Sequence, residues 1–134
     1  MASQVQVDAW VAAYEHAWRT AGAELLADLF TPTATYRMSP FEEPATGLGE
    51  IETLWERERQ GPDEEFEMAH EIVALEGDTA VIRVEVRYGP PEHHRYRDLW
   101  IVRFDGEGRC VHFQEWPFWP PGTDGQPGAG PLDG

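Results

Sequence analysis

The spacing of apolar residues changes once along the chain. After Asp8, a good helix N-cap, Trp10, Val11, Tyr14, Ala17, Trp18 and Ala21 recur in steps of three and four until Gly22, which predicts an amphipathic helix. A second, short helix follows through Leu25, Leu26, Leu29 and Phe30. Thr31-Pro32 breaks it, and Ala34-Thr35-Tyr36-Arg37-Met38 reads as a short strand that Pro40 stops. Phe41 to Thr46 reads as a loop. Thr46-Gly47 then opens a third helix with Leu48, Ile51, Leu54 and Trp55 on one side, closed by Gly61-Pro62. Beyond it the period becomes two. Strands are predicted near 65–76, 79–88, 94–104 and 109–118, joined by Gly77-Asp78, Gly89-Pro90-Pro91 and Asp105-Gly106-Glu107-Gly108. Short connections of this kind make antiparallel pairs. The expected fold class is therefore α+β: three N-terminal helices packed on one face of a strongly curved, mostly antiparallel sheet.

The sequence of 134 residues suits one domain, expected over 1–119, and the Pro/Gly-rich segment 120–134 reads as a flexible tail. Twenty-five acidic residues against ten basic ones, all arginine, give a net charge of -15. That charge repels phosphate backbones and anionic lipid, so neither nucleic acid nor a membrane is an expected partner. Cys110 is the only cysteine, no signal-peptide pattern opens the chain, and the expected location is the cytoplasm.

Alternation places Arg83, Glu85 and Arg87 on one face of their strand and Ile82, Val84 and Val86 on the other. The next strands group Asp98, Trp100 and Val102, then Val111, Phe113 and Glu115. The expected pairing sets Glu85 opposite Asp98 and Asp98 opposite Glu115, so three carboxylates and Arg83 stand abreast. A buried row of this kind persists only where one acid keeps its proton or Arg83 bridges the group; the alternative is that the face meets water. Trp100, Val102, Val111 and Phe113 share that face and favour burial, the apolar side of the 79–88 strand is the other one, and a homodimer contact on the outer sheet face would reconcile the two.

Other chemistry is sparse. His112 and Glu115, three apart on a strand, point to opposite faces, and there is no HExxH, so no metal is expected. Gly47-Leu48-Gly49 is not a dinucleotide fingerprint, and Ser3 and Ser39 sit in no nucleophile elbow, so no cofactor and no serine hydrolase are expected. Cys110 reads as inert packing. His70 shares a strand face with Phe66, Met68 and Ile72 and is either packed or a pocket acid/base.

Tyr14 with Phe30, then Ala34-Thr35-Tyr36, Pro40, Glu43-Pro44, Gly47, Ile51 and Trp55, and a final Gln114-Glu115-Trp116, resemble the nuclear transport factor two-like, or SnoaL-like, superfamily. The resemblance covers about residues 7 to 119 and implies a cystatin-like α+β cone barrel with a deep mouth, a fold that hosts many activities. Tyr14 matches the oxyanion-binding tyrosine of its ketosteroid isomerases, while their general base and proton donor would fall at Met38 or Ser39 and at Trp100. Tyr36-Arg37-Met38-Ser39-Pro40, Arg83-Val84-Glu85 and Glu115 resemble motifs of limonene epoxide hydrolases, with Met38 where that family has asparagine and glutamates for its aspartates. That resemblance implies that Glu115 deprotonates a water, Arg83 bridges the acids, Glu85 protonates the leaving oxygen and Tyr36 helps to hold the water. In SnoaL-like polyketide cyclases an acidic pocket residue acts, a role open here to Asp98 or Glu115.

The expected function is cofactor-free general acid/base catalysis on an apolar small molecule, of hydrolase, isomerase or cyclase type. Its candidate groups are Glu115, Arg83, Glu85, Asp98, Tyr36 and Tyr14, with Trp55, Phe41, Met38, His70, Trp100 and Phe113 as pocket wall. The alternative is a non-catalytic ligand-binding or assembly module.

Overall fold

In the computed structural model, residues 2–58, 65–89 and 94–120 are described. Helix α1 (Gln4–Trp18) begins earlier than the apolar spacing predicts, because Ser3 and not Asp8 is its cap. The Ser3 hydroxyl accepts from Gln6 N–H at 3.1 Å and Gln6 reaches back to Ser3 N–H at 3.4 Å, which satisfies two otherwise orphaned donors. Its apolar stripe, Val7, Trp10, Val11, Tyr14 and Ala17, is buried. The single turn α2 (Leu26–Leu29) leads into β1 (Phe30–Arg37), which is longer than predicted. Pro32 does not break β1, because it lies where the pairing with the last strand shifts register, between Phe30 and Thr35, and no ladder donor is missed there. A two-residue strand, β2 (Ala45–Thr46), occupies the end of the expected loop and pairs with Thr35 and Tyr36. Helix α3 runs Leu48–Glu58; its predicted stop at Gly61-Pro62 lies outside the described residues.

The remaining strands match the predicted periods: β3 (Phe66–Glu76), β4 (Thr79–Tyr88), β5 (His94–Phe104) and β6 (Cys110–Phe118). The β3–β4 turn is tight because Gly77 adopts φ +61°, a conformation that costs glycine nothing. All six strands form one sheet in the order β2-β1-β6-β5-β4-β3. Every neighbour is antiparallel except β1 and β6, which run parallel.

The core lies between α1 and the inner face of this sheet. Trp10 sits at its centre, with ring centroids 5.5 Å from Phe104, 5.9 Å from Phe30 and 6.1 Å from Phe113. Its indole N–H donates to the Leu29 carbonyl at 3.0 Å, so a large apolar surface is buried without an orphaned donor. At one end, Arg19 closes the space between α1 and β3: its guanidinium lies 3.9 Å from the Phe66 ring centroid and donates to the Phe66 carbonyl at 2.8 Å. Among the described residues no helix is long and apolar enough to cross a membrane. The expected tail lies outside the described residues, apart from Pro120.

Candidate functional site

Register decides which charged groups meet. Tyr88 pairs with His94, which sets Val84 opposite Asp98 and Glu85 opposite Arg97. This is the register that a connection over 89–93 itself gives, one residue away from the expected pairing of Glu85 with Asp98, and a slip of one reverses the face of every side chain. Residues directly opposite one another share a face, so Asp98 stands with buried Val84 and the arginine and glutamate of β4 stand on the other side. Arg83 pairs with Glu71 at 2.7 Å, and Glu85 with Arg97 at 3.3 Å and Arg87 at 3.4 Å, all on the outer face. The expected inward row of four is therefore corrected: Arg83 and Glu85 are not in the site. The apolar alternation of β4 carried this information, since Ile82, Val84 and Val86 are all buried.

Asp98 and Glu115 do come together. Between β5 and β6, Asp98 faces Pro117 and Trp100 faces Glu115, which makes the two acids diagonal neighbours on the inner face. They are the only acidic residues buried among the described residues, at 4% and 8% exposure. Asp98 Oδ2 accepts the Trp100 indole N–H at 2.9 Å. Burial pushes the Asp98 carboxyl up from its ordinary range, against hydrogen bonds from Glu115, Trp100 and the Trp116 and Leu99 backbones that favour its charged form. Desolvation wins. Asp98 Oδ1 is buried with no donor in bonding geometry, so one oxygen of this carboxyl is desolvated without a partner.

Beside the acids lies a proton-bearing pair. The hydroxyls of Tyr14 on α1 and Tyr36 on β1 are 2.9 Å apart and buried. Burial first, with the Glu115 charge adding to it, drives the Tyr14 phenol well above its usual value; burial and then Tyr14 do the same to Tyr36. Both remain neutral phenols, and a pair of hydroxyls uses only one of its protons internally. Phe113 stacks on both rings, at 4.5 Å from Tyr36 and 5.6 Å from Tyr14, while Trp100 lies 4.6 Å and Trp55 4.9 Å from Tyr14. These five aromatic rings pack against one another, and Trp55, Trp100 and Phe113, the expected wall residues, are among them.

Other expected wall residues separate. His70 is on the inner face but at its edge, where Nε2 lies 2.8 Å from Asp8 Oδ1 and ties α1 to β3. Phe41 is 97% exposed, and its placement in the wall is corrected: the 38–44 segment turns outward on Pro40 before β2 begins. Met38 lines, with Tyr36, Pro44, Glu50, Leu54 and Arg57, an open groove of about 580 Å³ between the 38–45 segment and α3.

Tyr96, Tyr88 and Trp119 were not among the expected residues. Tyr96 precedes Asp98 by two, so alternation alone puts it on the same face, and burial followed by Tyr88 and the Glu115 charge raises its phenol. Phe66, Tyr88, Tyr96 and Trp119 form a chain of rings 5.8, 6.4 and 6.0 Å apart along the open edge of the inner face. Among the described residues no cluster of three His, Cys, Asp or Glu is arranged to hold a metal ion.

With this geometry in place, comparison with known proteins gives a consistent result. No curated protein matches the chain. Its structure is similar to those of an NTF-2 like protein of unknown function from Burkholderia xenovorans LB400 (TM-score 0.67, 19% identity, 91% of this chain and 90% of that one). It also resembles a protein described as a SnoaL-like polyketide cyclase from Jannaschia sp. CCS1 (TM-score 0.65, 13% identity, 87% and 90%). A steroid delta-isomerase from Pseudomonas aeruginosa is similar as well (TM-score 0.62, 20% identity, 86% and 81%). At these identities the likeness shows the fold alone. The SnoaL-like domain family model matches residues 10–113, from Trp10 at the centre of the core to Phe113 between the two tyrosines, and the chain belongs to that family.

Proposed function

We propose that the protein is an enzyme that moves protons on a neutral, apolar small molecule without a cofactor, in an isomerisation or a cyclisation next to a carbonyl. The observation that carries this reading is the pair of buried carboxyls, Asp98 and Glu115, that share the inner face, with Asp98 pushed up by burial, set beside the Tyr14–Tyr36 hydroxyl pair. Asp98 is held by the Trp100 N–H, and Glu115 exchanges a proton with the substrate. A positioned base or acid of this kind contributes about 100- to 10,000-fold. The spare proton of the tyrosine pair points the same way, as a donor to the substrate oxygen on which charge develops. Two buried carboxyls inside aromatic walls make an anionic substrate costly, which selects an uncharged one. Epoxide hydrolysis is disfavoured because Arg83, the expected bridge between the acids, pairs with Glu71 on the far face. Names of structural neighbours, one an isomerase and one a cyclase, support the same class.

The test is deuterium wash-in and conjugation of β,γ-unsaturated cyclic ketones in D2O, followed by NMR. Glu115→Gln is expected to lose at least about 100-fold of the wild-type rate while remaining folded. Equal rates in the two proteins refute the reading and leave a non-catalytic binding module. The reading also takes the chain as a cytoplasmic homodimer. Val81, Leu99, Ile101 and Trp116 form a half-buried strip on the outer face, between rows of arginine and glutamate, that a second copy would cover. Light scattering that gives a clean monomer at micromolar concentration refutes the dimer.

A further inference from the structure

An indole N–H is a donor with no alternative role, and a buried one nearly always finds an acceptor. Two inner-face tryptophans obey this: Trp10 donates to the Leu29 carbonyl and Trp100 to Asp98. Trp55 does not. It is 2% exposed, its Nε1 is fully buried, and no acceptor lies within reach. Trp116 and Trp119, close in sequence to the residues that are not described, share that condition.

The surroundings of Trp55 contain the tyrosine pair. Its ring centroid is 4.9 Å from Tyr14 and 6.4 Å from Tyr36, both edge to face, and Trp18 closes its other side at 4.7 Å. Neither tyrosine hydroxyl accepts from it, since Nε1 has no bonding partner and the two hydroxyls bond each other. The donor is therefore held in place, desolvated and unused, next to the groups that handle protons.

We infer that Trp55 Nε1 is a ligand-binding donor, which hydrogen-bonds an oxygen acceptor, a carbonyl or ether oxygen, on the neutral ring compound bound in this site. The inference rests on the proposed location of the site and adds a specificity-determining residue to it. A ligand lacking that oxygen fits the aromatic wall equally well and leaves the donor as it is. One that carries it gains a hydrogen bond for which the desolvation of the donor is already spent in folding. Trp55 thereby sorts oxygenated ring compounds from hydrocarbons of the same shape.

The experiment uses the full chain labelled with 15N-tryptophan and two bicyclic probes of one skeleton, 1-tetralone with the oxygen and tetralin without it. The Trp55 indole signal, identified by its NOEs to Trp18, is expected to move downfield on titration with tetralone and to stay in place with tetralin. In Trp55→Phe, tetralone affinity falls about tenfold and tetralin affinity is unchanged, which separates the lost donor from lost packing. The wild-type titration stands on its own if that variant does not fold. An unmoved Trp55 signal at saturating tetralone overturns the inference. So does a Trp55→Phe loss equal for both probes, and so does failure of both probes to bind. These outcomes are distinct from those of the catalytic reading. Glu115→Gln keeps the Trp55 shift with tetralone whether or not it loses turnover, so either claim can fail alone.

Discussion

Removing one hydroxyl of the Tyr14–Tyr36 pair should cost more than removing both. The two oxygens are 2.9 Å apart, and the residues are 7% and 5% exposed, so water does not replace a lost partner. Tyr14→Phe deletes one neutral hydrogen bond and strands the Tyr36 hydroxyl in an aromatic pocket. A buried hydroxyl left unsatisfied costs about 1–3 kcal/mol, and Tyr36→Phe strands Tyr14 with the same consequence. The double variant removes donor and acceptor together and keeps both rings, so the stacking on Phe113 at 4.5 and 5.6 Å survives and little stability is lost. The cycle should therefore return a coupling energy of about 1–3 kcal/mol, with the double variant near wild type. Urea unfolding of the four proteins with a common m-value measures it from the midpoints. Both phenols ionise well above their usual range through burial, so the coupling should be constant across the neutral range; above about pH 10 the folded state resists ionisation and stability falls. Losses that simply add, with the double variant least stable of all, refute the isolated hydroxyl pair.

Three further outcomes follow from named contacts. The carboxyl of Asp98 is raised in the folded protein, so its contribution to stability is fully present below about pH 4 and is lost as pH rises through the raised value. The stability of wild type minus that of Asp98→Asn should fall between pH 4 and pH 7 in urea midpoints, and a difference that grows with pH refutes the assignment. Arg83→Ala and Glu85→Gln remove outer-face pairs in which Arg83 and Glu71 are 60% and 68% exposed; each should cost about 0–1 kcal/mol and leave turnover unchanged. A loss of turnover in either would return those residues to the site. Burial pushes the Cys110 thiol far up and leaves it fully covered, so a thiol reagent such as DTNB should label the protein only at the rate of unfolding.

The periods of the chain determine much of this protein. Steps of three and four from Trp10 to Trp18 specify the helix that covers the sheet, and alternation specifies the four long strands within a residue or two of their ends. The same local rule puts Asp98 and Trp100 on one face of β5, Phe113 and Glu115 on one face of β6, and, had it been extended by two residues, Tyr96 with them. Pairing was not legible in this way. Whether Asp98 meets Glu85 or Val84 is a choice between registers one residue apart; Tyr88 against His94 gives the second, and the buried face of β4 requires it. That choice belongs to the whole sheet, because a strand with Ile82, Val84 and Val86 on one side cannot present Arg83 and Glu85 to the same core without exposing all three. Contacts between distant segments are also tertiary decisions: Tyr14 and Tyr36 stand 22 residues apart, and Trp55 reaches them from a third element. Local spacing states which side chains an element offers to the interior, and only packing states which of them touch.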